Sequence, residues 1–189
     1  MSMPSSRIPG VMIKEARRFH DDRGYFMEMW RRDPAGEGAA LETFLQDNLS
    51  FSSHGVLRGL HFQHPQGQGK YLTVLDGEIL DVIVDVRRGS PTFGEWESFA
   101  LSSENGFQLY VPVGLAHGFV VTGERALLHY KCTETYAPDA EYTLQWNDPA
   151  LGIEWPDLDL IISEKDQQGT LLADFDEQAL PVYDADAPA

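Results

Sequence analysis

Between residues 56 and 80 the chain reads VLRGLHFQHPQGQGKYLTVLDGEIL. Two cations and a histidine, Arg58, His61 and Lys70, stand there among strand-forming residues whose hydrophobic pattern gives no reason for them. Two apolar or alternating segments, 56–62 and 71–75, are joined by HPQGQGK, a run of turn formers and side-chain amides. If the segments pair in a sheet, His61 and Lys70 can project from neighbouring strands into one cavity. A histidine with an ammonium close by suits proton abstraction next to a carbonyl. The imidazole takes the proton, and the cation holds the charge that builds on oxygen. Strict alternation puts Arg58 and His61 on opposite faces of a strand, so a shared pocket requires a bulge, for which Gly59 is the natural site.

The elements that must position these groups read as short strands broken by turn chemistry. Runs 46–52, 56–62, 71–76, 78–86, 95–101, 107–112, 117–122, 126–133 and 142–146 carry β-branched, aromatic or alternating residues. Between them lie Asp76-Gly77, Arg88-Gly89-Ser90-Pro91, Glu104-Asn105-Gly106, Pro112-Val113-Gly114 and Ala137-Pro138-Asp139. Many strands at near-regular spacing with little helix predict a β-sandwich or small barrel. Ahead of them, Ile8, Val11 and Ile13 suggest one strand, Asp22-Arg23-Gly24 a turn, and Tyr25 to Trp30 an aromatic strand, while 33–45 reads as a loop with one helical turn. Residues 163–175 are expected to carry a helix packed on the sheet. Period-two counting over 126–133 turns Leu128, Tyr130 and Cys132 inward and Leu127, His129 and Lys131 outward, and puts His117, Phe119 and Val121 on one face.

A chain of 189 residues is expected to form a single domain. Its formal charge is −16, from 14 Lys and Arg against 30 Asp and Glu. Such a surface repels nucleic acid and anionic membranes, yet a local cluster of cations in a cleft can still attract a small anion. The opening MSMPSSRIPG has no apolar run of the kind a signal peptide needs, and the lone Cys132 cannot form an internal disulfide, so the expected setting is a reducing cytoplasm. Arg17-Arg18, Arg31-Arg32 and Arg87-Arg88 read as surface pairs, and Asp81 and Asp85, set among valine and isoleucine, as structural partners for buried cations or backbone. His61, His64 and His117 are available as metal ligands, but no His-x-His pair with a following Glu accompanies them, and no metal is expected.

The stretches DDRGYFME (21–28), QDNLSFS (46–52), VLRGLHFQ (56–63), QGKYLTVLDGEILDVIVDVRRGSPTFG (68–94), VPVGLAHGF (111–119), HYKCTETYAPDAE (129–141) and SEKD (163–166) occur together and in order. With them the chain resembles the dTDP-4-dehydrorhamnose 3,5-epimerase family, over about residues 8–170, leaving 171–189 as a tail. The resemblance implies an all-β antiparallel jelly roll of cupin type with a few short peripheral helices. It also implies a homodimer that needs no metal or other cofactor. Its substrate would be a dTDP-linked 4-keto-6-deoxyhexose, inverted at C3 and C5. By position, His61 would be the general base, Asp166 the carboxylate that orients it, Tyr130 the acid on the opposite face, and Lys70 the cation beside the C4 carbonyl. Arg23, Phe26, Glu28, Gln46, Asn48, Arg58, His117, Tyr136, Glu141 and Lys165 would touch the substrate or its nucleotide.

Plainer readings stand beside these. Ser163-Glu164-Lys165-Asp166 also resembles a helix capping box, with Asp166 turned back to its own backbone. Tyr130 also fits a core tyrosine with a satisfied hydroxyl, and the aromatics Tyr25, Phe26 and Trp30 fit core or a dimer interface. The rival functions are an epimerase acting at one carbon, a catalytically silent sugar-nucleotide-binding barrel, and a metal-dependent cupin oxygenase.

Overall fold

The computed structural model describes residues 5–31 and 43–185. Among the described residues eleven strands carry the fold: β1 (Met12–Glu15), β2 (Arg18–Asp21), β3 (Gly24–Met27), β4 (Gln46–Ser53), β5 (Val56–Gln63), β6 (Lys70–Asp85), β7 (Trp96–Ser102), β8 (Phe107–Val111), β9 (Leu115–Cys132), β10 (Glu141–Thr143) and β11 (Ile161–Ile162). One short helix, α1 (Glu164–Gln167), and 3-10 turns at Pro138–Ala140, Leu172–Asp174 and Glu177–Ala179 lie outside them. The reading of 33–45 as a loop with a helical turn falls almost wholly outside the described residues.

The organising pair is β6 and β9. They run antiparallel from Lys70 opposite Cys132 to Asp85 opposite Leu115, with register shifts at Val74/Asp76 and Gly77/Ile79. On its other edge β6 gives its first residues to β8 and its later ones to β7. β9 likewise pairs with β5 near its start and with β4 over its second half. Each long strand therefore belongs to both halves of a rolled sheet in the order β1-β8-β6-β9-β5-β10, antiparallel except where β11 joins β5 in parallel. This is a cupin-like jelly roll. β2 and β3 form a separate hairpin.

Expectation had divided these long strands. Segments 71–76 and 78–86 are one strand, as are 117–122 and 126–133. Asp76-Gly77, which reads as a hairpin turn, is instead the site of the bulges. Gly77 (φ +80°) lies so close to Arg125 that a Cβ would fall 1.8 Å from its carbonyl oxygen. The strand therefore bends there without ending. The helix expected over 163–175 is a single turn, because Gly169 packs against Gln145 and Thr170 bridges Leu144, drawing the chain back to the sheet.

Alternation along β6 sorts its side chains between two apolar clusters. Ile79 and Ile83 join Leu72, Leu109, Phe119, Val121 and Leu128 inside the roll, while Val82 and Val84 pack outside with Leu60, Phe62 and Leu144. Arg87, read as half of a surface pair, is buried. Its guanidinium donates to both oxygens of the fully buried Asp85, at 2.9 and 2.8 Å, and Ser90 and Thr92 donate to the same carboxylate. Burial works to raise the Asp85 carboxyl, but these donors prevail and hold it below the usual carboxylate range. A folded-state value below the unfolded one means that this contribution is present above about pH 4 and is lost as pH falls through the lowered value. Asp85→Ala leaves Arg87 buried and unpaired, and is expected to lower unfolding stability by about 3–5 kcal/mol in urea titration. An unchanged midpoint would show that the pair carries no stability.

Candidate active site

A cleft of about 300 Å³ opens into the roll, lined from β4, β5, β6, β9 and α1. The bulge expected at Gly59 is present. The register between β5 and β9 shifts between Arg58 and His61, and both side chains line the cleft. Gly59 adopts φ +118°, and a Cβ there would lie 2.6 Å from Gly118 Cα and 2.8 Å from the His117 carbonyl oxygen. Only glycine allows β5 to approach β9 so closely while turning His61 inward. Gly59→Ala is therefore expected to displace His61 and cost about 100-fold in turnover, the scale of an ångström-sized misplacement of a reacting group. A variant with wild-type turnover would remove Gly59 from this account.

His61 Nε2 lies 2.7 Å from Asp166 Oδ1, and the other Asp166 oxygen accepts the Gly59 backbone N–H at 3.2 Å. The capping alternative is thereby resolved into two parts. Ser163 caps α1 by accepting the Asp166 N–H, while the Asp166 carboxylate turns away from its own backbone towards His61. Burial works to raise the Asp166 carboxyl. The hydrogen bond and charge of His61, with Gly59 N–H and Ser163, prevail and hold it below its ordinary value. It is thus a standing carboxylate able to orient the ring.

Lys70, at the start of β6, places Nζ 3.5 Å from the His61 carbonyl oxygen, and burial pulls its ammonium below the usual lysine range. Tyr130 lines the cleft from the second half of β9 while its neighbour His129 points outward to Asp47, as alternation required. Burial raises the Tyr130 phenol, helped by Cys132 and opposed by Arg58. Ser52 accepts from Arg58 Nε at 3.0 Å and fixes the guanidinium's direction.

His117 also lines the cleft, with Nε2 2.8 Å from Asp81 Oδ2. At the rim, Lys165 pairs with Glu141, whose carboxylate also accepts the Tyr136 hydroxyl at 2.8 Å. Burial raises Glu141, but Lys165 and Tyr136 outweigh it and hold the carboxyl low. Gln46 bonds Asn48 at 2.9 Å and the Tyr136 N–H at 2.8 Å, and Asn48 reaches Cys132 Sγ at 3.5 Å. These two share the β4 face of Ser50, which lines the cleft.

Of the ten expected substrate contacts, Arg58, His117 and Lys165 line this cleft; Gln46, Asn48, Tyr136 and Glu141 sit beside it without lining it, and the remaining three are not brought to it by the chain itself. Arg23, at the tip of the β2–β3 hairpin, pairs with Asp21; Phe26 is 70% exposed; and Glu28 pairs with Arg31. None lines the cavity. Conversely, Asp81, Ser50, Ser52, Phe119 and Leu128 belong to the site or support it without having been expected there. The signal for Asp81 was available: it replaces an aliphatic residue on the inward face between Ile79 and Ile83. Among the described residues no three His, Cys, Asp or Glu side chains gather as a metal would need, and no helix is long and apolar enough to cross a membrane.

Comparison with known proteins gives one family. The profile described as dTDP-4-dehydrorhamnose 3,5-epimerase matches residues 5–174. The Pseudomonas aeruginosa protein of that name is 50% identical over 89% of this chain and 94% of its own length. The Neisseria gonorrhoeae one is 46% identical over 95% of this chain, which spans 55% of that longer relative. The crystal structure of dTDP-6-deoxy-D-glucose-3,5-epimerase from Legionella pneumophila Philadelphia 1, solved with dTDP-4-keto-L-rhamnose, superposes with a TM-score of 0.90. It is 41% identical and covers 97% of this chain and 99% of its own. The chain belongs to the dTDP-4-dehydrorhamnose 3,5-epimerase family.

Proposed function

We propose that the chain inverts C3 and C5 of dTDP-4-keto-6-deoxyglucose, giving dTDP-4-keto-L-rhamnose, with no cofactor. The observation that carries this reading is the His61–Asp166 pair in one cleft with a half-buried ammonium and a phenol from a different strand. Hydrogens at C3 and C5 flank the C4 ketone, so losing either as a proton leaves an enolate with its charge mainly on the C4 oxygen. His61 takes the proton, Asp166 favours the imidazolium that results, and Lys70 holds the oxyanion. Tyr130 gives a proton to the opposite face of the same carbon. The imidazolium returns its proton to water and the phenolate recovers one, which resets the site for the second carbon. Arg58 suits the pyrophosphate, since a guanidinium offers paired donors to phosphate oxygens.

The direction of the Lys70 shift supplies a test. Because burial lowers its proton affinity, activity should fall on the alkaline side below the ordinary lysine value near ~10.4, while the Tyr130 phenol, shifted upward, loses its proton later. Lys70→Met should lower kcat by about 10²–10³ and abolish that alkaline limb. A limb that persists in the variant belongs to another group.

The same reading assigns a homodimer in the cytoplasm. For the dimer, the support is that Arg23 and Phe26 sit on an exposed hairpin with Glu28 just beyond it, while Leu49 (62% exposed) and Phe51 (63%) face outward on the edge strand β4. A second copy would cover that apolar face and bring one chain's hairpin to the other's cleft. The deciding experiment is proton NMR of the substrate with the enzyme in heavy water. Exchange at both C3 and C5, with rhamno product trapped by a reductase, supports the proposal. Exchange at one carbon gives the single-site epimerase, and none at either leaves a binding role.

A further inference from the structure

Two histidine–aspartate pairs reach the cleft, and the chemistry above uses only the catalytic work of the first. The second is built differently. Asp166, buried and lining the cleft, has both oxygens engaged. Asp81 lies in the middle of β6, wholly buried, on the inward face that Ile79 and Ile83 share. Its Oδ2 lies 2.8 Å from His117 Nε2, and its Oδ1 is buried with no hydrogen-bond partner among the described residues. Its electrostatic partners are His117 and the Lys70 ammonium. A buried carboxylate with one bare oxygen is a poor way to hold a barrel together, since well-packed apolar side chains serve the fold as well or better. Its position against two groups of the cleft points to another purpose.

We infer that Asp81 is a positioning residue for the proposed epimerisation: it locks His117 as the tautomer protonated on Nε2, so that Nδ1 presents an acceptor to a hydroxyl of the bound hexose. This inference rests on the epimerase reading for the identity of the hexose, and for the tautomer on the 2.8 Å contact with Asp81 acting as a carboxylate acceptor. The ring is held on one side by the 2.8 Å bond, and because His117 lines the cleft, its second nitrogen is the one left for substrate. An acceptor there complements the Lys70 ammonium, which lines the same cleft. Together they would distinguish a ring hydroxyl from the carbonyl oxygen next to it, and so fix which carbon faces His61. A neutral imidazole whose far N–H is held by a carboxylate is pre-oriented and keeps its tautomer as substrate enters.

The tautomer can be read directly by long-range proton–nitrogen NMR on the nitrogen-labelled protein without substrate. His117 is expected to carry its proton on Nε2. A ring protonated on Nδ1 in the wild type overturns the inference, whether or not any variant folds. Asp81→Leu should leave His117 as a mixture of tautomers and lower kcat/KM for deuterium exchange about 100-fold. In a His117→Ala background the same substitution should cost less than about threefold further, because two residues acting as one unit are not additive. An equal loss in both backgrounds, or a 117 ring still uniformly protonated on Nε2 in Asp81→Leu, reduces Asp81 to a structural role. If the wild type exchanges no deuterium into the sugar but shows the Nε2 tautomer, the substrate assignment fails and the Asp81–His117 geometry stands.

Discussion

His61→Asn is expected to stop deuterium entering the sugar at both C3 and C5, lowering exchange by about 10²–10⁴, the range a positioned general base supplies. The amide is close to the imidazole in shape but cannot take a proton from carbon. Asp166 in this variant keeps the Gly59 N–H, and Ser163 still caps α1, so the β5 bulge and the helix stay in place. Arg58 keeps its Ser52 anchor and Lys165 its bond to Glu141, so nucleotide-sugar affinity measured by calorimetry should stay within tenfold. The prediction is thus a separation of binding from chemistry. Exchange at wild-type rate in this variant would exclude His61 as the base. Loss of binding together with exchange would make it a structural residue, the ordinary role of a strand histidine.

How far the sequence was legible depended on what each residue must satisfy. Local rules were enough where one strand decides the outcome. Alternation separated Tyr130 from His129, and the conflict between alternation and a shared pocket required a bulge at Gly59, where the register does shift. Asp166 was ambiguous because a capping box and a histidine partner need the same residue at the same place. The structure divides the task, giving the cap to Ser163 and the histidine to the carboxylate. Signals broke down where tertiary approach overrides local chemistry. Asp76-Gly77 is an excellent turn dipeptide, but the backbone of Arg125 occupies the space beside Gly77 and the strand bends through. Arg87 beside Arg88 looked solvated, and only the fold shows Asp85 directed at it from two residues away. Arg23 and Phe26 on the hairpin, and Glu28 just beyond it, mark a different limit. Family position names them as substrate contacts, yet nothing within one chain carries them to the cleft. A pattern within a single sequence does not say which copy of the chain a contact serves.

Tyr130→Phe should give the opposite signature to the histidine variant. His61, Asp166 and Lys70 are untouched, so the first proton is still removed and the enolate still held. Deuterium should therefore keep entering at the carbon that His61 addresses. With the phenol gone, no group from the second half of β9 delivers a proton to the far face. The enolate is then requenched from the side it left, with retention, and inversion should fall by about 10²–10⁴ while exchange persists. Burial already raises the phenol, so in the wild type it stays protonated through neutral pH and acts as a donor. The loss in Tyr130→Phe should accordingly be the same from pH 6 to pH 9, unlike the Lys70 variant, whose deficit narrows as the wild-type ammonium titrates. The measurement is a time course that follows deuterium content and rhamno configuration in the same sample. If the two stay in step in Tyr130→Phe, and inversion proceeds at the wild-type rate, the acid is another group and the two-sided mechanism needs a different donor. If both stop, Tyr130 shapes the cleft for proton removal as well, and its role is not confined to the second half of the reaction.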